Sequence, residues 1–192
     1  MDSSYFTNPL VFLVQVLFEL YLLVVMLRFL LQLVRADFYN PLSQFIVKAT
    51  SPLLKPLRSV IPGFGGLDMS SLLLAWLIKS LELFLILLIS GKGVVLIYPM
   101  LQAIPGLLEL VLNIFLFSIL IIVILSWIAP GSYNPAVSLL YSLTDPLLQP
   151  ARRMLPPMGG LDLSPMAVMI VLVLAKMLLI PPLEAFAVGL AF

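Results

Sequence analysis

Four ionisable side chains, Glu19, Lys79, Glu82 and Lys176, stand near the middle of long apolar stretches, which also hold Arg28 and Glu184. A charge held in a bilayer is costly, so such residues must pair, face protein or line water. Lys79 and Glu82 are three positions apart, which puts them on one helix face within reach of each other. Glu19 is the expected partner of Lys176. Two acids and two bases cancel. The set reads either as a neutral polar clasp between helices or as part of an ion or proton pathway. A second set pairs Arg58 with Asp68 and Arg152 with Asp162, ten positions apart in both cases. Each pair either forms a bridge across a turn or leaves Arg58, Arg152 and Arg153 to hold a phosphate or a lipid headgroup.

Other chemistry is excluded by composition. The chain has no cysteine and no histidine. That removes disulfides, thiol nucleophiles, imidazole bases and the usual zinc sets. No nucleophile stands beside a base, so an intramembrane enzyme is not expected, and neither a cofactor nor a metal is expected. The run Gly63-Phe64-Gly65-Gly66 lacks the lysine and spacing of a nucleotide-binding loop. Met166 and Met169 read as span residues rather than copper ligands. A net charge of +1 gives no attraction to nucleic acid.

The elements that must position these residues are membrane helices. Hydrophobic residues make up 62% of the chain and charged residues 10%, with a mean hydropathy of +1.21. A soluble domain carries about 25% charged residues, so this chain belongs in lipid. Crossing a bilayer takes about 20 residues. Four stretches qualify, at about 9–34, 70–90, 107–128 and 165–190. The first reads as a retained span rather than a signal peptide, because it lacks a basic start and is too long. Asn113 and Ser118 read as the only polar interior residues of the third span. Pro181-Pro182 is expected to kink or end the fourth. The segment 93–102 is too short to span and reads as a connector or re-entrant piece. Trp76 and Trp127 read as packing or interface anchors.

The chain is also doubled. Thr50-Ser51-Pro52-Leu53-Leu54-Lys55-Pro56-Leu57-Arg58 returns as Thr144-Asp145-Pro146-Leu147-Leu148-Gln149-Pro150-Ala151-Arg152, and Gly65-Gly66-Leu67-Asp68 returns as Gly159-Gly160-Leu161-Asp162. The offset is 94 throughout, and 12 of the 21 positions from Thr50 to Ser70 are identical. Each repeat is span, loop, span, so both copies point the same way. The expected fold is an all-α membrane protein with four transmembrane helices in two parallel repeats. Each repeat is helix, amphipathic surface helix, Gly-Gly turn, helix, with one unit over 1–93 and the other over 94–192.

In the first loop Leu42, Phe45, Ile46, Ala49, Leu53, Leu57 and Ile61 fall near one face at helical spacing. Lys48, Lys55 and Arg58 lie at its edge, within reach of lipid headgroups. Ser51-Pro52 and Asp145-Pro146 read as helix starts, and Pro56 and Pro150 as points where the short helix bends or stops. Asp68 or Ser70, and Asp162 or Ser164, are expected to cap the following spans. Asn134-Pro135-Ala136 spells a water-channel signature, half-echoed by Asn40-Pro41, but both lie in loops on one side and read as turn initiators.

The doubled S/D-P-L-L-x-P-x-R motif, followed by G-G-L-D-x-S and flanked by apolar spans, resembles the YggT family, called YlmG in Gram-positive bacteria and plastids. The second copy matches the pattern most fully. The first departs at Ser51, Lys55, Ser59 and Ser71. The resemblance covers nearly the whole chain and is to the two-copy proteobacterial form. It implies an integral inner-membrane protein linked to osmotic or ion homeostasis, potassium uptake included, as a channel component or modulator. Relatives in plastids and Gram-positive bacteria imply the alternative of an assembly or scaffold role. No catalytic residue carries over. The implied partners are the lipid bilayer and either a second copy or another membrane protein. The repeat loops hold Arg35, Lys48, Lys55, Arg58, Arg152 and Arg153, against Lys92 alone on the other side. That asymmetry places the loops in the cytoplasm and both termini in the periplasm.

Overall fold

The computed structural model describes residues 4–61, 67–91, 93, 95–128, 131, 134–155 and 162–191. The Gly65-Gly66 and Gly159-Gly160 turns, Pro62, Gly63, Pro156, Lys92 and Tyr133 lie outside the described residues. The described residues form six helices: α1 (Ser4–Leu33), α2 (Pro41–Val60), α3 (Met69–Ile89), α4 (Ile97–Ile128), α5 (Pro135–Met154) and α6 (Ser164–Ala191). Four of them, over Thr7–Leu33, Met69–Ile89, Ile97–Ile128 and Ser164–Ala191, are long and apolar enough to cross a membrane. Their outer faces carry exposed Leu13, Leu17, Phe117, Ile124, Val171 and Leu178. Lipid, not water, suits such a coat.

α1 packs on α3, α4 on α6, and α3 joins the two pairs by packing on α4. α2 and α5 are the surface helices, and they meet: Asn40 Nδ2 donates to the Pro135 carbonyl at 2.7 Å. Both elbows therefore lie at one end of the bundle. The tightest core sits beside them. Leu22, Val25, Met26 and Leu30 of α1 close on Leu54 of α2, Leu74 and Ala75 of α3, Leu107 and Ile114 of α4, and Leu143 of α5.

Local sequence explains the helix starts. Asn40 accepts from the Leu42 amide at 2.9 Å and Asn134 from the Val137 amide at 2.9 Å, each followed by a proline in the first turn. These are asparagine caps with proline where no amide partner is needed. The Asn-Pro pairs thus start α2 and α5, and Ser51-Pro52 and Asp145-Pro146 lie inside them. Just past α1, Arg35 takes a left-handed φ of 55°. The Ala36 amide there reaches back to the Leu31 carbonyl, which satisfies a terminal acceptor.

The helix starts expected at Ser51-Pro52 and Asp145-Pro146, and a stop at Pro56, Pro150 or Pro181-Pro182, are corrected. α2 and α5 run through Pro52, Pro56, Pro146 and Pro150 without a break. Each proline removes one ladder bond, and neighbours on α2 supply others. Thr50 Oγ1 donates to the Ile46 carbonyl at 2.7 Å, and Ser51 Oγ to that of Val47. Arg28 Nη1 adds a bond to the Val47 carbonyl at 3.1 Å. α6 continues through Pro181-Pro182 to Ala191, with Ile180 buried in a cluster that includes Leu112 and Ile119 of α4. Residues 97–102 are the first turns of α4 rather than a connector. Pro99 falls in the first turn, and Trp76 Nε1 holds the Met100 carbonyl at 2.9 Å.

α2 presents three faces. Ser43, Ile46, Thr50 and Leu54 are buried against the bundle. Leu42, Phe45, Leu53 and Val60 are exposed and apolar, and Lys48 and Lys55 are exposed on the remaining side. The single apolar face expected from spacing is thus split between protein and lipid.

Candidate functional site: a polar cavity between the spans

The half of the bundle away from the elbows opens into a cavity of about 310 Å³, whose polar lining is Glu19, Lys79, Gln102, Glu109, Asn113 and Glu184. α3 brings Lys79 to the centre. Its Nζ lies 3.0 Å from Glu82 Oε2, one turn along the same helix, and 3.7 Å from Glu19 Oε1 on α1. Glu82 is 1% exposed, whereas Glu19 is 62% exposed. Gly106 of α4 makes room for the lysine stem. A Cβ there would stand 3.1 Å from Lys79 Cε, too close without a shift of the side chain.

Lys176 belongs to a second cluster. Its Nζ meets Glu109 Oε1 at 2.9 Å and Asn113 Oδ1 at 3.0 Å, both on α4. The expectation that it pairs with Glu19 is corrected: Glu19 is on α1, and the helix packed on α6 is α4. Glu109, near the start of the third apolar stretch, is a polar interior residue beyond the Asn113 and Ser118 expected there. The repeat offset carried the signal. It aligns Asn113 with Glu19, Glu109 with Gln15, and Lys176 with Glu82. The same register of both repeats therefore places polar groups at mid-span. Adding Glu109 and Glu184 to Glu19 and Glu82 gives four carboxylates around two lysines, so the set is not balanced. Glu184 makes no ion pair among the described residues. Gln102 Oε1 is buried with no hydrogen-bond partner among them, which suits a cavity that holds water or a polar solute. Among the described residues no three His, Cys, Asp or Glu side chains gather as a metal set.

The elbow pairs lie at the other end. Arg58 Nη2 bridges to Asp68 Oδ2. Asp68 also accepts from Ser71 Oγ at 2.6 Å and the Ser71 amide at 3.2 Å, which makes it the cap of α3. It is 4% exposed. Burial pushes its carboxyl up, but the hydrogen bonds and charge of Arg58 and the bonds from Ser71 outweigh that and hold it below the usual range. Arg152 Nε meets Asp162 Oδ2 at 3.0 Å, and Asp162 accepts from the Ser164 amide at 2.9 Å. Its carboxyl is also lowered: slight burial raises it, and bonds from Ser164 and Arg152 prevail. This carboxylate is 40% exposed. Lys48, Lys55 and Arg153 are exposed and make no ion pair among the described residues.

Arg28 is a further residue whose role the sequence did not reveal. It is buried near the end of α1 and reaches α2, with Nη1 on Thr50 Oγ1 at 2.5 Å. Trp127 is exposed at the end of α4.

Fold and cavity together define a multi-pass, all-helical membrane protein with its polar groups gathered inside the helix layer. The chain belongs to the CCB3/YggT family, whose sequence profile matches residues 7–89 and again 101–183. A protein of Pseudomonas aeruginosa described as uncharacterised is 53% identical over 177 residues, covering 91% of this chain and 90% of the relative. An uncharacterised protein of Vibrio alginolyticus, from the proC 3′ region, is 41% identical over 181 residues, covering 90% and 94%. The uncharacterised protein YggT of Escherichia coli is 43% identical over 176 residues, covering 88% of both chains. No solved structure matches the chain.

Proposed function

We propose that this chain works in the bacterial inner membrane in support of osmotic and ion balance, potassium included, as a component or modulator of a transport assembly. We read it as a non-enzyme whose elbows face the cytoplasm and whose cavity faces the periplasm. One observation carries the reading. Inside the helix layer, a cavity with more carboxylates than lysines runs from mid-span toward Gln102 and Glu184. Such a lining favours water and small cations over lipid or anions. The packed core at the elbow end closes the other half, so a single copy is a vestibule and not a through-pore. A role beside or within a larger assembly follows.

The test is growth of a strain lacking the protein, in low-potassium medium under osmotic stress. Wild type and Arg152→Gln are expected to restore growth. Glu109→Gln combined with Glu184→Gln is expected not to, at equal membrane level. Full rescue by that double variant would remove the reading.

The second reading is a scaffold that binds lipid headgroups or a partner through α2 and α5. It is supported by the outward cations Lys48, Lys55, Arg58, Arg152 and Arg153 on helices already seated on the bundle end. It expects the reverse result: cavity variants rescue, and loss of Arg152 and Arg153 does not.

A further inference from the structure

A parallel repeat joined head to tail leaves one face of each kind unused. Inside the chain, the two repeats meet where α3 packs on α4. Trp76 and Lys79 of α3 lie on this contact, one bonded to the Met100 carbonyl and the other over Gly106. The offset of 94 maps α3 onto α6 and α4 onto α1. The counterparts of Trp76 and Lys79 are Ile170 and Val173, and those of Gly106 and Leu107 are Phe12 and Leu13. Trp76, Lys79, Gly106 and Leu107 are buried or half-buried, and all four counterparts are exposed. So α6 carries an unused copy of the α3 face, and α1 an unused copy of the α4 face.

Three further observations point to what covers them. Sizes are exchanged: a long lysine faces glycine inside the chain, and a short valine would face phenylalanine in the unused pair. The total volume at the contact is kept, which is what close packing in lipid needs. Glu19 stands on the same α1 face, two turns beyond Phe12, and is 62% exposed at mid-span. Its counterpart Asn113 is half-buried inside the chain. Glu19 lines the polar cavity and meets Lys79 at 3.7 Å, and a helix covering its exposed part would shield the carboxylate from lipid. The elbows are already built for the same relation. Leu139 of α5 is buried against Leu31, Ala36 and Ile46 of the first repeat, while Phe45, its counterpart on α2, is exposed.

We propose that copies of this chain associate head to tail in the membrane, α6 of one copy packing on α1 of the next in the register of α3 on α4. The contact is heterologous, and the repeat-to-repeat rotation decides whether it closes into a ring or extends as a row. The inference rests on the repeat and its packing, independently of the transport reading.

The chain has no native cysteine, so thiol crosslinking is clean. Two differently tagged copies are co-expressed, one Phe12→Cys and the other Val173→Cys, and the membranes are treated with a short thiol-to-thiol crosslinker. The expected product is a dimer carrying both tags, at least tenfold above that from Phe12→Cys with Val171→Cys, since Val171 lies on the opposite side of α6. Leu13→Cys with Ile170→Cys is expected to behave as the first pair does, which guards against one variant failing to insert. Phe12→Cys alone should give no dimer with itself. A symmetric Phe12 dimer of equal yield, equal crosslinking through Val171, or no mixed dimer from either pair would overturn the proposal.

Discussion

Arg28 in the first repeat and Ile122 in the second occupy the same position, and both are buried. Arg28 spans from α1 to Thr50 and the Val47 carbonyl on α2. Nothing of the kind is available at Ile122, where Thr144 bonds only within its own helix, to the Leu140 carbonyl at 2.9 Å and that of Tyr141. The elbows differ in the same sense, with Asp68 buried and Asp162 half open to solvent. So do the mid-span clusters. Lys79 sits against a fully buried Glu82, and Lys176 against a half-exposed Glu109. One motif therefore serves two chemistries. The first repeat is locked by buried polar contacts, with α1 packed against α2, α3 and α5. The second keeps the same backbone with apolar packing and partly solvated pairs.

That contrast can be broken by paired substitutions, each read as thermal or denaturant stability in mild detergent. The largest difference is expected at the lysines. Lys79→Met leaves Glu82 buried without its cation and should cost about 3–5 kcal/mol, whereas Lys176→Met should cost about 1 kcal/mol, since solvent reaches Glu109. Equal losses would mean that burial does not separate the clusters. At the elbows, Asp68→Asn breaks the bridge to Arg58 and weakens the buried cap of α3, with an expected loss of about 1–3 kcal/mol. Asp162→Asn should lose under about 1 kcal/mol because its bridge is screened by solvent.

Smaller effects sharpen the comparison. Thr50→Val removes an acceptor from the buried Arg28 guanidinium and should cost about 1–2 kcal/mol. Thr144→Val gives up only bonds within its own helix and should cost about 0.5 kcal/mol or less. A similar loss at both positions would show that Arg28 contributes nothing through Thr50. The smallest effect is on pH dependence. Asp68 is held below the ordinary carboxylate range. Its contribution is therefore fully present above the unfolded value of about 4, and fades as pH falls through the lower folded value. The melting temperature should fall across that window. The drop attributable to this group should vanish in Asp68→Asn, and a variant that keeps the full acid sensitivity would assign it elsewhere.

Much of this architecture could be read without coordinates. The 94-residue offset, the four apolar stretches and the Arg–Asp spacing across each elbow are one-dimensional patterns, and each follows from what lipid and helix periodicity demand of a chain. The prolines do not end the helices, because a proline's local cost is small beside the packing of Ile46, Thr50 and Leu54 against the bundle. Glu109 was overlooked although the repeat register marked its column.

What the sequence by itself determined is the membrane class, the duplication and the presence of charge at mid-span, since composition and period are sufficient for those. What only the tertiary structure decided is which charges meet. Beyond the Lys79–Glu82 pair that spacing gives, Lys79 also reaches Glu19, and Lys176 turns to Glu109 and Asn113, because the choice depends on which helix lies beside which. Spacing within one helix cannot specify the neighbour that packing between helices supplies.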